Sequence, residues 1–251
     1  MAQLKIFSST QTLESAVVKL FIDLARQAID DKGQFTVALS GGSTPQAIYE
    51  DLGKPEHQHE LNWAKIHLFW GDERHVPPNH PESNYRMVDD ALLRHITIPG
   101  ENIHRVSAEM DVQAAATAYE QDLRQFFDRN WPQFDLVLLG MGTDGHTASL
   151  FPGSAGLKEE KRWFIANQVP ELRKWRLTLT KHAINTAKYV IVLVQGASKA
   201  DMLVEVLAGA YSPEEKPIQL ISPIDGEMIW MVDEQAANAL PDDLISKFLE
   251  P

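Results

Sequence analysis

Asp144 and His146 stand two residues apart in Gly140-Met141-Gly142-Thr143-Asp144-Gly145-His146-Thr147, directly after the apolar run Leu136-Val137-Leu138-Leu139. An imidazole changes charge near neutral pH, so a histidine here suits proton transfer. An acid beside it suits orienting the ring or a bound water. The three glycines let the backbone turn tightly and approach a ligand. Gly140, Gly142 and Gly145 also match the G-x-G-x-x-G pattern of dinucleotide sites. The surroundings argue against that role. Such a fingerprint opens a first βαβ unit and expects an acid at the end of the next strand, roughly 20 residues on. Here Glu159 and Glu160 lie in the charged run Lys158–Arg162, which reads as a solvated loop, and Asp144 would repel a pyrophosphate.

Three other clusters carry chemistry-bearing residues. Ser40-Gly41-Gly42-Ser43-Thr44 precedes Pro45. Glycines and hydroxyls at a helix start offer free N–H groups to an anion such as phosphate; a cap by Ser43 or Thr44 plus a glycine turn explains the same residues. No Walker pattern is present. Gly71-Asp72-Glu73-Arg74 combines two acids with a guanidinium that suits a phosphate or a developing oxyanion. A surface ion pair and a turn is the alternative. Lys199 follows Gly196-Ala197-Ser198 near a helix start, where a cation opposes the helix dipole. That cost points to a ligand, against the plain reading of a solvated lysine. Arg176 lies in the alternating stretch Trp175–Thr180 and suits either the surface or the site. His67, His75 and His104 read as bystanders.

The elements that carry these clusters are legible from periodicity. Leu4–Phe7 reads as a strand. Leu13, Val17, Leu20, Phe21, Leu24, Ala28 and Ile29 share one face of a helix over Thr12–Asp31. Phe35–Leu39, Ile66–Trp70, Asp135–Leu139 and Val190–Val194 read as buried strands. Helices are expected from the Ser43–Pro45 turn to Leu52, over Ser83–His95, Val112–Asn130 and Thr147–Leu150, and from Lys199 to Leu207. Ile229–Val232 reads as an edge strand. Alternating strands and helices predict an α/β fold: one domain over residues 1–251 with a mostly parallel sheet, Rossmann-like, covered by helices on both faces. In such a sheet the loops after the four strongest strands share one edge, where ligands bind.

Composition narrows the function. The 251 residues are 44% hydrophobic and 23% charged, which supports a sizeable core. There is no cysteine, so disulfides, thiolate catalysis and cysteine-based metal sites are excluded. With 23 Lys and Arg against 35 Asp and Glu, the formal net charge is -12, a poor match for broad nucleic-acid binding. The N-terminal segment is too short and polar for a signal peptide, and no apolar run approaches the ~20 residues that span a bilayer. A cytoplasmic protein without membrane or nucleic-acid partners is expected, a monomer or small homo-oligomer.

Taken together, Ser40–Pro45, Gly71–Arg74 with Ser83-Asn84-Tyr85-Arg86-Met87, Gly140–Pro152, Arg176–Thr180 and Gly196–Ala200 resemble the 6-phosphogluconolactonase family, in its order, over roughly residues 36–204. The related glucosamine-6-phosphate deaminase/isomerase family shares the architecture and several blocks. Those relatives follow Asp-Gly-His with an Ile-Ala-Phe-Asn-Glu-Pro-like sequence, whose glutamate works with the histidine in ring opening. This chain has Thr147-Ala148-Ser149-Leu150-Phe151-Pro152, with no acid there. Isomerisation needs acid/base groups at two positions, whereas lactone hydrolysis needs an activated water and an oxyanion cradle. The resemblance therefore implies a lactonase of the phosphosugar-isomerase type, acting on 6-phospho-D-glucono-1,5-lactone without metal or cofactor. It implies His146 as base, Asp144 and Arg74 as catalytic partners, and Ser40, Gly41, Gly42, Ser43, Thr44, Asp72, Arg176 and Lys199 as substrate-binding residues. A sensor of sugar phosphates is the non-enzymatic alternative.

Overall fold

The computed structural model describes residues 2–169, 171 and 173–249. Its strands are β1 (Ala2–Phe7), β2 (Phe35–Leu39), β3 (Ile66–Trp70), β4 (Asp72–Arg74), β5 (Ile103–His104), β6 (Leu136–Gly140), β7 (Phe164–Val169), β8 (Lys174–Leu179), β9 (Tyr189–Val194) and β10 (Glu227–Asp233). The helices are α1 (Thr10–Lys32), α2 (Ser43–Leu52), α3 (Pro55–Gln58), α4 (Asn84–Ala91), α5 (Val112–Phe127), α6 (Lys181–Asn185), α7 (Ala200–Leu207), α8 (Glu234–Ala237) and α9 (Asp242–Leu249).

Seven strands form one sheet in the order β1-β10-β9-β6-β2-β3-β5, and every ladder in it is parallel. All five residues of β2 are buried, as a strand covered on both faces requires. α1 starts with a capping box, in which Ser9 and Thr12 satisfy each other's backbone N–H groups, and stops at Gly33 in the left-handed region (φ 83°). Its buried residues Leu13, Val17, Phe21, Leu24 and Ala28 form the stripe that the spacing predicts. The helix packs against β1, β2 and β10.

Chain direction across the sheet reverses between β2 and β6. From β2 the chain steps outward through β3 to β5; from β6 it steps the other way through β9 to β10. This is the topological switch point, where open α/β sheets bind ligands. The two strands are tied at their N-terminal ends. Thr36 donates to Asp135 Oδ2 from its backbone N and its Oγ1, both at 2.9 Å, and Asp135 N donates to the Thr36 carbonyl at 3.0 Å. Only Val37↔Leu136 and Ala38↔Val137 then pair, against five pairs for β2 with β3. Beyond them the strands diverge and a crevice opens.

Away from the turn after His146, the structure departs from the sequence reading in four places. Ile229–Val232 is not an edge: β10 lies between β1 and β9, and β1 is the outer strand. The helix expected over Ser83–His95 is regular only to Ala91 and tightens to a 3₁₀ turn at Leu93–His95. The helix expected over Val112–Asn130 ends at Phe127, because Asp128 adopts φ 43°. Asp72–Arg74, expected as a loop, is a strand. It pairs antiparallel with β8, and β8 with β7, forming a second, three-stranded sheet beside the site. Among the described residues no helix is long and apolar enough to cross a membrane.

Candidate active site

At the C-terminal ends of β2, β3, β6 and β9 lies a cavity of about 410 Å³. Its wall includes Ser40 to Pro45, Asp72, Arg74, Asn84, Gly140 to Gly142, His146, Ala148, Leu193 to Gln195, Ser198 and Lys199. The four loops expected to share an edge do so. Of the residues singled out by sequence, Ser40, Gly41, Gly42, Ser43, Thr44, Asp72, Arg74, His146 and Lys199 line the cavity. Asp144 reaches it through His146. Arg176 stands opposite Arg74 in the β4/β8 ladder and is not part of the wall. His75 is outside too, its Nε2 2.9 Å from the Met110 carbonyl.

The dyad is tightly built. His146 Nδ1 lies 2.5 Å from Asp144 Oδ1, and the same oxygen accepts the His146 backbone N–H at 3.1 Å. Burial raises the Asp144 carboxyl, but the hydrogen bond and charge of His146 and backbone N–H donors outweigh it, so the carboxyl titrates below its ordinary value. A neutral ring that donates from Nδ1 to this carboxylate leaves Nε2 as an acceptor. The other face of the chemistry is apolar: the Phe151 ring stacks on the imidazole at 4.2 Å and 22°. Gly142 closes the turn, its N–H donating to the His146 carbonyl at 2.8 Å.

The helix expected over Thr147–Leu150 is instead a bridged turn. Ala148 has φ 46°, which breaks helical geometry at its second residue. The neighbouring side chains find partners outside the segment. Thr147 Oγ1 donates to the Gly140 carbonyl at 2.8 Å, and Ser149 Oγ donates to Asp72 Oδ2 at 2.6 Å. Asn167 of β7 donates to the Ser149 carbonyl at 2.9 Å. The second sheet thus braces both Asp72 and the turn after His146.

The Ser40–Thr44 loop enters α2 with Gly42 at the N-cap (φ 110°), and no side chain caps the helix there. The first-turn N–H groups of Ser43 and Thr44 are therefore uncapped at the cavity wall, which favours the anion reading over the capping one. Gly41 is required by Asn84, whose side chain fills the space a Cβ would take. Asn84 Nδ2 donates to the Asp72 carbonyl at 2.9 Å. Two buried polar atoms of the wall, Ser40 Oγ and Gln195 Oε1, have no hydrogen-bond partner among the described residues. Asn84, Gln195 and Ser149 were not singled out individually by sequence. Asn84 sits in the Ser83–Met87 segment that carries the family resemblance, and Gln195 is a polar residue at the end of an apolar strand, a signal the sequence does hold.

Glu73 faces away from the cavity. Its carboxylate accepts from the backbone N–H of Arg74, Asn84 and Tyr85, each at 2.7 Å, and from Ser83 Oγ at 3.2 Å. It holds the start of α4, and through it Asn84. Burial pushes its carboxyl above the ordinary value despite those backbone donors. The raised value has a definite sign: ionising Glu73 opposes folding, so its contribution is greatest at acid pH and declines as pH rises. Glu73→Ala strands several buried donors and is expected to cost about 2–3 kcal/mol. The measurement is the urea midpoint at unchanged slope. A midpoint equal to the parent's would mean that water replaces the carboxylate.

Arg74 is anchored by Nη1, which donates to the Glu82 carbonyl at 2.7 Å. Burial and the neighbouring Arg74 lower the Arg176 guanidinium somewhat. Burial also lowers the Lys199 ammonium, with Asp144 acting in the opposite sense. Against a formal net charge of -12, Arg74 and Lys199 set two cations in the cavity wall, with Arg176 beside Arg74 in the β4/β8 ladder.

In sequence and in fold the chain is similar to known proteins. Residues 8–230 match the family model for glucosamine-6-phosphate isomerases/6-phosphogluconolactonase. A 6-phosphogluconolactonase from Synechocystis sp. is 44% identical over 219 residues, 85% of this chain and 88% of that protein. The solved structure of 6-phosphogluconolactonase from Trypanosoma cruzi superposes with a TM-score of 0.86 at 30% identity, covering 96% of this chain and 97% of that one. A monomeric glucosamine-6-phosphate deaminase shares the fold alone, with a TM-score of 0.80 at 20% identity over 94% of this chain and 99% of that one. The chain belongs to the glucosamine-6-phosphate isomerase/6-phosphogluconolactonase family.

Proposed function

We propose that this chain hydrolyses 6-phospho-D-glucono-1,5-lactone to 6-phospho-D-gluconate, the lactonase step of the oxidative pentose phosphate pathway. The observation that carries the choice within the family is the Asp144–His146 dyad with Phe151 stacked on it. A phenyl ring occupies the place where the deaminase pattern has its glutamate. One base remains, which suffices for hydrolysis and not for ring opening with isomerisation.

In this reading the 6-phosphate rests on the Ser40–Thr44 loop, with Lys199 and Arg176 supplying positive charge. Nε2 of His146 takes a proton from water as the water oxygen bonds to C1. The C1 carbonyl becomes a tetrahedral oxyanion, stabilised by Arg74, an effect typically worth ~3 kcal/mol per donor. The C1–ring-oxygen bond then breaks, and His146 returns its proton to the departing oxygen. The product is the open-chain acid, which ionises to solvent. Asp144 keeps the imidazole in the tautomer that leaves Nε2 bare, and Asp72, held by Ser149, orients a substrate hydroxyl. No step calls for a metal or organic cofactor, because the lactone is already an activated ester. The expected setting is the cytoplasm, as a monomer or small homo-oligomer with no nucleic-acid or membrane partner.

The test is a coupled or pH-stat assay on freshly made lactone with spontaneous hydrolysis subtracted. A rate no faster than the blank sinks the proposal, and ammonia release from glucosamine 6-phosphate would replace it with the deaminase reading.

The lowered Lys199 pKa gives a second check on the phosphate assignment. Its ammonium is lost before an ordinary lysine's, so affinity for 6-phosphogluconate should already decline as pH rises toward the ordinary lysine value of 10.5. Lys199→Arg should move that decline to higher pH, since a guanidinium stays charged. Affinity that is flat across this window in the parent protein would remove Lys199 from the phosphate site.

A further inference from the structure

Ser40 closes β2 and opens the anion loop, and both of its backbone polar groups go to one phenol. Its N–H donates to Tyr49 Oη at 3.1 Å, and Tyr49 Oη donates to its carbonyl oxygen at 3.0 Å. Tyr49 lies on α2, the helix that the loop leads into, and is fully buried. The hydroxyl therefore ties the first residue of the loop to the second turn of the helix that follows it. Ser40 keeps only its Oγ, buried in the cavity wall without a partner among the described residues. Burial raises the phenol's pKa far above the physiological range, against the Ser40 bonds that favour ionisation. The group is thus neutral and able to donate and accept at once.

We propose that Tyr49 is a positioning residue for anion binding. It fixes the span of the Ser40–Thr44 loop so that the uncapped N–H groups of α2 and the free Ser40 Oγ converge on one phosphate. The inference rests on the reading that this loop holds the 6-phosphate. Without the clamp, the Ser40 backbone groups turn to water or to Ser40 Oγ, and the loop loses its fixed approach to the ligand.

The molecule supplies its own control. Tyr119 of α5 makes the same pair of bonds to Trp70, accepting from its N–H at 2.8 Å and donating to its carbonyl at 3.2 Å. Trp70 ends β3, which leads to Asp72 and Arg74 rather than to the anion loop. Tyr49→Phe and Tyr119→Phe remove like bonds from equally buried places, so loosening of the fold weighs on both alike.

The experiment is calorimetric titration of both variants with 6-phosphogluconate, alongside KM and kcat on the lactone. In Tyr49→Phe the Kd should rise roughly tenfold, the scale of one lost buried interaction, and KM should rise more than kcat falls. In Tyr119→Phe, which loosens the strand end before Asp72 and Arg74 but leaves the anion loop clamped, the Kd should rise clearly less than in Tyr49→Phe. Equal weakening in both, or no weakening in Tyr49→Phe, overturns the proposal. A parent protein that does not bind 6-phosphogluconate overturns the phosphate reading instead. Should Tyr49→Phe fail to fold, amide exchange in the parent protein decides: the Ser40 N–H is expected to be protected like the interior amides of β2, and exchange at the rate of an exposed loop overturns the clamp.

Discussion

Replacing His146 with alanine is expected to lower kcat by about 10²–10⁴-fold while leaving KM for the phosphorylated lactone nearly unchanged. The split follows from the geometry. The groups assigned to the phosphate are the Ser40–Thr44 loop, Lys199 and Arg176, none of which hydrogen-bonds to the imidazole in the described structure. The ring acts on the attacking water and the leaving oxygen, so its loss falls on the chemical step. Some catalysis over solvent should persist, because Arg74 and the binding loop still hold and polarise the lactone. Initial rates with the uncatalysed rate subtracted give both constants. Turnover near the parent value would remove His146 as the base.

Gly142→Ala is the second change with a large expected effect, and it touches no reacting group. A Cβ on Gly142 would overlap His146 Nδ1 and Asp144 Oδ1, the two atoms of the dyad's hydrogen bond. The backbone has little freedom to relieve this, since the Gly142 N–H is bonded to the His146 carbonyl at 2.8 Å. The imidazole must therefore swing out. Displacement of a catalytic group by about 1 Å costs on the order of 10²-fold in rate, and that is the loss expected in kcat. Gly142 does not need left-handed backbone, so the fold itself should tolerate the methyl group and the thermal midpoint should barely move. A folded Gly142→Ala variant with parental kcat would show that the observed dyad geometry is not the working one.

The parallel sheet and the convergence of four loops were legible because buried strands leave continuous apolar runs, such as Val190–Val194, and parallel strands send their loops to one edge. The dyad was legible because Gly140 and Gly142 precede it and Gly145 separates its two members. The second sheet was not. Asp72–Arg74 is a strand through its long-range partner β8, and three polar residues show no alternation of their own. The turn at Thr147–Leu150 was misread for a related reason: Ala148 favours helix intrinsically, while hydrogen bonds from Thr147 to Gly140 and from Ser149 to Asp72 impose φ 46°. The role of Glu73 was also hidden. Next to Asp72 it reads as a site acid, and only the third dimension shows it holding α4.

The narrow seam between β2 and β6 has a bearing on how the protein acquires activity. One half of the cavity wall, Ser40 to Asn84, comes from the chain before the switch point, and the other half, Gly140 to Lys199, from the chain after it. The two halves of the sheet meet through a ladder of two residue pairs and the Thr36–Asp135 bonds, across 99 residues of sequence. Contacts of such separation carry a large loop-closure cost and form late relative to local ones. During refolding, helices and single βα units can therefore recover well before any turnover does. Regained activity is expected to follow the joining of the two halves, at this seam and at the β4/β8 ladder, rather than the growth of secondary structure.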